Sequence, residues 1–299
     1  DVALNSDGNI MVIGGHRYNS KRGIVRVYQW NGSSWNQLGS DLIGSGGEFG
    51  HRVSINSDGT IIGVSTHTSG QVKIYQWNGS SWNQLGSTIT GDYDFDNDIP
   101  LSNDGTIVCI GDSTGVSSGV SANIGMARVY KWNGSTWNQI GHDMVGEATG
   151  DAAGYAVAMN GDGTIVAMGA PDNDGTGTNA GHVRVYQWRI YTQSNEDNSS
   201  YHYQSTVQNS TTQTKPLIMT ANTSTAPVVG QYYWTQIGID IDGEAAGDNS
   251  SRYNGGVSLN NNGNVISIGA WTNDGNGVES GHRSEERRGG KECRSRWSP

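Results

Sequence analysis

The side chains that could do chemistry in this 299-residue chain are seven histidines, 28 carboxylates and two cysteines. His16, His51, His67, His142, His182 and His282 are scattered or stand at the starts of repeated segments. None forms a His-x-x-x-His pair, so a zinc hydrolase has no support from spacing. Carboxylates are more suggestive. Asp172-Asn173-Asp174-Gly175, the related Asn273-Asp274-Gly275, and the alternating Asp92, Asp94, Asp96 and Asp98 gather like charges that a cation or solvent must offset. Calcium is therefore the one cofactor the sequence keeps open, beside the reading that these are solvated surface charges. No particular residue is singled out as catalytic, cofactor-binding or metal-ligating. A carboxylate pair for glycoside hydrolysis could be assembled from almost any acidic chain of this length, so it discriminates nothing.

The elements that must position these groups are short and rich in turns. Glycine numbers 45 against 5 prolines, without a Gly-X-Y period, which excludes collagen. Lys and Arg total 18 and Asp and Glu 28, a net charge of -10. Residues 283–299 hold six basic and three acidic side chains; without them 12 basic and 25 acidic remain, a net -13. Nucleic acid and anionic membranes, which need a positive surface, are thereby disfavoured as partners. No run of 18 apolar residues exists to cross a bilayer as a helix. The chain opens at Asp1-Val2-Ala3-Leu4, which reads as a start inside a fold.

Internal repetition dominates. Val-Arg-Val-Tyr-Gln-Trp at 25–30 returns as Val-Lys-Ile-Tyr-Gln-Trp at 72–77, Ala-Arg-Val-Tyr-Lys-Trp at 127–132 and unchanged at 183–188, placing Trp30, Trp77, Trp132 and Trp188 at spacings of 47, 55 and 56. A second tryptophan follows each, at Trp35, Trp82, Trp137 and Trp234. Upstream of each pair lie two β-branched runs joined by an Asp-Gly or Asn-Gly turn, a hairpin signal. One unit reads as strands A, B, C and D, which is the description of a propeller blade. The expected fold is an all-β propeller of four-stranded antiparallel blades, incomplete, with about four and a half of seven blades in this chain. The units fall at 1–40, 41–87, 88–141, 142–238 and 239–282, and the missing blades would come from the same full-length chain. Cys109 matches Val12, Gly63, Ala167 and Ser267 in strand B, so the thiol reads as a small core side chain. The recurring tryptophans read as packing between blades.

Two stretches break the repeat. Residues 189–230, rich in Ser, Thr, Asn, Gln and Tyr, interrupt the fourth unit between strands C and D and read as an extended loop or added hairpin. Residues 283–299 reverse the charge where a fifth strand C should begin. They resemble translated adapter or vector sequence and are read as a non-native basic tail.

Gly169-Ala170-Pro171 and Gly181-His182-Val183-Arg184-Val185-Tyr186 carry a resemblance to the propeller repeats of secreted and cell-surface proteins of bacteria and marine microbes, distantly similar to the FG-GAP-like repeats of the integrin alpha-chain head. The resemblance covers residues 1–282. It implies an extracellular or cell-surface protein, with adhesion or binding of protein or glycan at a propeller face. The integrin-like family holds calcium between strands A and B. At that place this chain has Asn5-Ser6-Asp7-Gly8, Asn56-Ser57-Asp58-Gly59, Asn103-Asp104-Gly105 and Gly161-Asp162-Gly163. Each offers about one carboxylate where calcium wants six to eight oxygens, so these read as bare hairpin turns. The expected function is a non-catalytic binding or structural module, with a carbohydrate-active lyase or hydrolase on the same scaffold as the alternative.

Overall fold

Alternating β-branched runs form the strands that the repeat predicts. In the first blade strand A is Val2–Leu4, B is Ile10–Gly15, C is Ile24–Trp30 and D begins at Trp35–Gln37, paired antiparallel in that order. The second blade repeats the order with Phe49–Ile55, Ile61–Thr66, Gln71–Trp77 and Trp82–Gln84. The third has B at Ile107–Asp112, C at Met126–Trp132 and D from Trp137–Gln139, and the fourth has Ala156–Met159, Ile165–Ala170, His182–Ile190 and Tyr232–Gln236. A fifth sheet joins Val257–Leu259, Val265–Ala270 and His282–Arg287. The chain is thus all-β, built of repeated antiparallel blades of the β-propeller kind. The computed structural model describes residues 1–91, 98–114, 124–190, 228, 230–252 and 256–273, with the backbone alone of His202–Gln204, Leu217–Met219 and His282–Arg287. Contacts group the chain into two units, Asp1–Ile110 with Val129–Gln139, and Gly111–Arg128 with Ile140–Pro299.

The structure departs from the sequence reading in four places. Strand A of the third blade is reduced to one bridge, Leu101 to Val108, and Pro100, which has no N–H to give a ladder, contributes only its carbonyl to the Cys109 N–H. Strand D does not end at the glycine after its tryptophan. It resumes at Leu42–Ile43, Ile89–Thr90, Met144–Val145 and Ile241–Asp242, which pair with the start of strand C, so the unit boundaries at 40, 87, 141 and 238 fall inside strand D. Between the two pieces stand Gly39, Gly86, Gly141 and Gly238 at φ 81, 74, 70 and 80, a bulge that a side chain would strain. In the insert, His202–Gln204 pairs parallel with Leu217–Met219, which meets strand D through Ile218 and Thr235; the remaining residues of 191–227 lie outside the described residues. At the end of the chain His282–Arg287 holds the C position of the fifth blade by backbone pairing with Val265–Ala270.

Apolar side chains from strands A, B and C fill the cores. Val12, Val25, Val27, Phe49, Ile62 and Val64 form one cluster, and Ile61, Val72, Ile74, Ile99, Val108 and Ile110 a second, both in the first unit. Ala156, Ala167, Val183, Val257 and Ile268 belong to a third, in the second unit. Cys109 is fully buried in strand B, as its small counterparts in the repeat suggest, and burial holds its thiol far above its ordinary pKa.

Candidate functional site

Strand C carries an arginine that reaches the aspartate opening the second half of strand D. Arg26 makes two parallel bonds to Asp41 at 2.9 Å each. Arg128 does so to Asp143 at 2.9 and 3.1 Å, and Arg184 to Asp240 at 3.0 Å twice. The second blade, with Lys73 and Thr88 at these places, lacks the clamp. Sequence reading missed it because the aspartate lies beyond the glycine at which strand D was expected to stop. The signal was present, since Asp41, Asp143 and Asp240 each follow that glycine by two residues.

In the fourth blade the clamp is sunk into a buried polar cluster. Arg184 is wholly buried and also contacts Glu147, whose other oxygen accepts from Asn173 at 3.2 Å and lies 3.9 Å from His182 Nδ1. Asn173 also donates to Asp151 at 3.0 Å, and Gln236 to Asp240 at 2.7 Å. Glu147, His182 and Asp240 are, among the described residues, the one set whose ligand atoms all lie within 4.8 Å of one another. Burial pushes the Glu147 carboxyl up to about 7 despite Arg184 beside it. Burial and the same guanidinium lower the His182 imidazole to about 3, which keeps it neutral. Burial also acts on Asp240, but the charge and hydrogen bonds of Arg184 outweigh it and leave that carboxyl below its ordinary range. Arg184 stands where an ion would have to sit, already shared by both carboxylates. The arrangement is a buried ion network whose cation is a side chain.

Glu147-x-x-x-Asp151 returns as Glu244-x-x-x-Asp248 in the next blade, with Asn273 donating to Asp248 at 3.1 Å and approaching Glu244 at 3.5 Å. A cleft beside it is lined by Asp242, Glu244, Asp248, Ser250 and Asn273.

The A–B turn aspartates, and those of the described acidic loop that kept a calcium reading open, have other commitments. Asp58 accepts from the Thr60 N–H and hydroxyl at 2.9 and 2.6 Å, and Asp104 and Asp162 treat Thr106 and Thr164 alike. Asn56 and Asn160 accept the N–H that starts strand B. These carboxylates brace the turn. Asp172 pairs with Arg252 at 3.1 Å, Asp174 accepts from the Asn179 N–H, and Asn173 belongs to the buried cluster, so the three do not converge. Asp92, Asp94, Asp96, Asp274 and Gly275 lie outside the described residues.

The tryptophan pairs of the second, third and fourth blades pack on the preceding blade. Trp82, Trp137 and Trp234 donate their indole N–H to the carbonyls of Leu38, Leu85 and Ile140 at 2.9, 2.9 and 3.0 Å, and Gly39, Gly86 and Gly141 lie against the paired rings. Trp30 and Trp35 of the first blade pack on each other and are about 40 % exposed.

Of the histidines, His182 joins the buried cluster, whereas His16, His51 and His67, which spacing left scattered, come together. His16 and His51 meet edge to face with centroids 5.0 Å apart, and His51 stacks on His67 at 4.8 Å. Buried Glu48 lies beside them and accepts from Lys21 at 2.6 Å.

No protein-family model matches the chain, and no curated protein matches it. Solved structures similar to it include a candidate 6-phosphogluconolactonase from Bacteroides uniformis, 14 % identical over 63 % of this chain and 50 % of that one, with a TM-score of 0.44. TolB from Acinetobacter baumannii is 12 % identical over 96 % of this chain and 52 % of its own, also at 0.44. The chain spans about half the length of each. The class is defined by the chain's own sheets: a repeat protein of propeller blades.

Proposed function

We propose that this chain is a non-catalytic binding or structural module of an extracellular or cell-surface protein, presenting a blade face to protein or glycan. The observation that carries this reading is the recurrence of its ionisable groups. Arg26–Asp41, Arg128–Asp143 and Arg184–Asp240 repeat one pair at one place in three blades, and Glu147–Asp151 returns as Glu244–Asp248. A recurring pair does the same structural work in each blade, and where the fourth blade sets a raised Glu147 beside an ionised Asp240, both carboxylates are already engaged by the buried Arg184. The acidic balance and the resemblance to secreted repeat proteins support the location, and further blades would be supplied by the same full-length chain.

The test is to incubate the chain with a panel of acidic and neutral polysaccharides. New reducing ends and unsaturated products would be measured, and binding scored in parallel by titration calorimetry and on a glycan array. Saturable binding without products is expected. Turnover of any member of the panel would replace this reading with that of a carbohydrate-active enzyme, and absence of both from glycans and from cell-surface protein extracts would remove the binding role.

A further inference from the structure

The turn that joins strands C and D carries the same triplet in each of the first three blades: Asn31-Gly32-Ser33, Asn78-Gly79-Ser80 and Asn133-Gly134-Ser135. Asparagine two residues before serine or threonine, with no proline between, is the acceptor sequence for N-linked glycans. Seven such triplets stand in the chain, and six lie on a C–D connection, because residues 189–230, which replace the turn in the fourth blade, hold three more at Asn198, Asn209 and Asn222. Those three fall outside the described residues. The seventh is Asn249-Ser250-Ser251.

The three described turns share one geometry. Each asparagine Oδ1 accepts from the backbone N–H groups two and three residues ahead, all at 2.9 Å, and from the Ser33, Ser80 and Ser135 hydroxyls at 2.9, 3.0 and 2.9 Å. The carbonyl oxygen thus holds the turn, while Nδ2 donates to none of the described residues. All three asparagines are exposed, and a β-carbon on Gly32, Gly79 or Gly134 would meet nothing within 4 Å. Asn249 is the reverse case. Its Nδ2 donates to the Gly247 carbonyl at 2.7 Å and the Thr272 hydroxyl at 3.0 Å, and Ser250 and Ser251 are buried.

We propose that Asn31, Asn78 and Asn133 are sites of N-linked glycosylation, an inference that rests on the extracellular placement proposed above. The donor class is a polyprenyl-diphosphate-linked oligosaccharide. Nδ2 bonds to the anomeric carbon, the bond from that carbon to the diphosphate oxygen breaks, and Nδ2 gives up one proton as the polyprenyl diphosphate leaves. The product amide keeps Oδ1, so the bonds that hold the turn survive. Bulky, hydrated glycans beside strand D, the edge of each of these sheets, would also hinder edge-to-edge pairing.

The experiment is expression of the full chain, with a secretory signal peptide added, in eukaryotic cells, and recovery of the folded protein from the medium. Because export is supplied, the result does not depend on where the natural protein resides. Glycan release by peptide N-glycosidase in heavy-oxygen water, followed by peptide mapping, marks each former glycan site and separates it from spontaneous Asn-Gly deamidation. Label at Asn31, Asn78 and Asn133, and none at Asn249, is expected. Ser33→Ala, which keeps both backbone bonds to Asn31, should lose the label at Asn31 alone, and Ser33→Thr should retain it. Unlabelled turn asparagines, or label at Asn249 in the folded protein, would overturn the proposal.

Discussion

The indole nitrogen of Trp82 donates to the carbonyl of Leu38 at 2.9 Å, and the next residue, Gly39, lies directly under the Trp77 and Trp82 rings. A β-carbon at Gly39 would come 2.8 Å from Trp77 Cζ3, at a φ of 81. The tryptophan pair, the leucine carbonyl and the glycine therefore act as one joint, which recurs at Trp137–Leu85 and Trp234–Ile140.

Gly39→Ala should destabilise the fold by roughly 1–3 kcal/mol, from overpacking and from left-handed backbone strain. Trp82→Phe, which keeps a ring but leaves the Leu38 carbonyl without its donor, should cost about 1–3 kcal/mol. Urea unfolding followed by circular dichroism measures both, and an unchanged midpoint for Gly39→Ala would refute the joint.

Two chemically identical ion pairs should respond differently to truncation. Arg184→Ala strands Glu147 and Asp240 in a buried site and is expected to cost roughly 3–5 kcal/mol. Arg26→Ala removes a pair whose side chains are 42 % and 30 % exposed, and thermal unfolding should not register it. Equal effects would mean that burial does not set the worth of the clamp.

The buried cluster predicts a pH profile. Between about pH 4.5 and 6.5 the folded chain holds a proton on Glu147 and none on His182, while the unfolded chain holds it on the histidine instead. The two linkage slopes have opposite sign there and offset each other. Glu147→Gln removes the falling slope, so the stability difference between variant and parent should grow in the variant's favour by about 1.4 kcal/mol per pH unit across that window. A difference independent of pH, from melting curves at matched ionic strength, would rule out the raised Glu147 carboxyl.

Calcium should change thermal stability little. Asp58, Asp104 and Asp162 are occupied by turn N–H and hydroxyl groups, and Asp172 by Arg252. Scanning calorimetry at millimolar Ca2+ is expected to show a rise of only a few degrees. A shift above about 10 °C would require a strong site.

Cys109 should resist modification. In a Cys293→Ser variant, a thiol reagent should react only as fast as the chain opens, because the thiol is buried and held in its protonated form. Rapid labelling in native buffer would contradict that burial.

What the sequence determined by itself is local and periodic. Alternating β-branched residues, the Asp-Gly turns and the paired tryptophans define strands A to C, the start of D and the repeat, because a two-residue side-chain period and a primed turn are written within a few residues. Tertiary structure decided whatever depends on register between distant strands. Asp41, Asp143 and Asp240 find their arginines only once strand D has resumed past its glycine bulge, and Glu147 meets Arg184 and His182 across 35 or more residues of chain. His16, His51 and His67 show no motif because their nearness comes from two strand ends and a strand start brought together by packing, which linear spacing cannot encode.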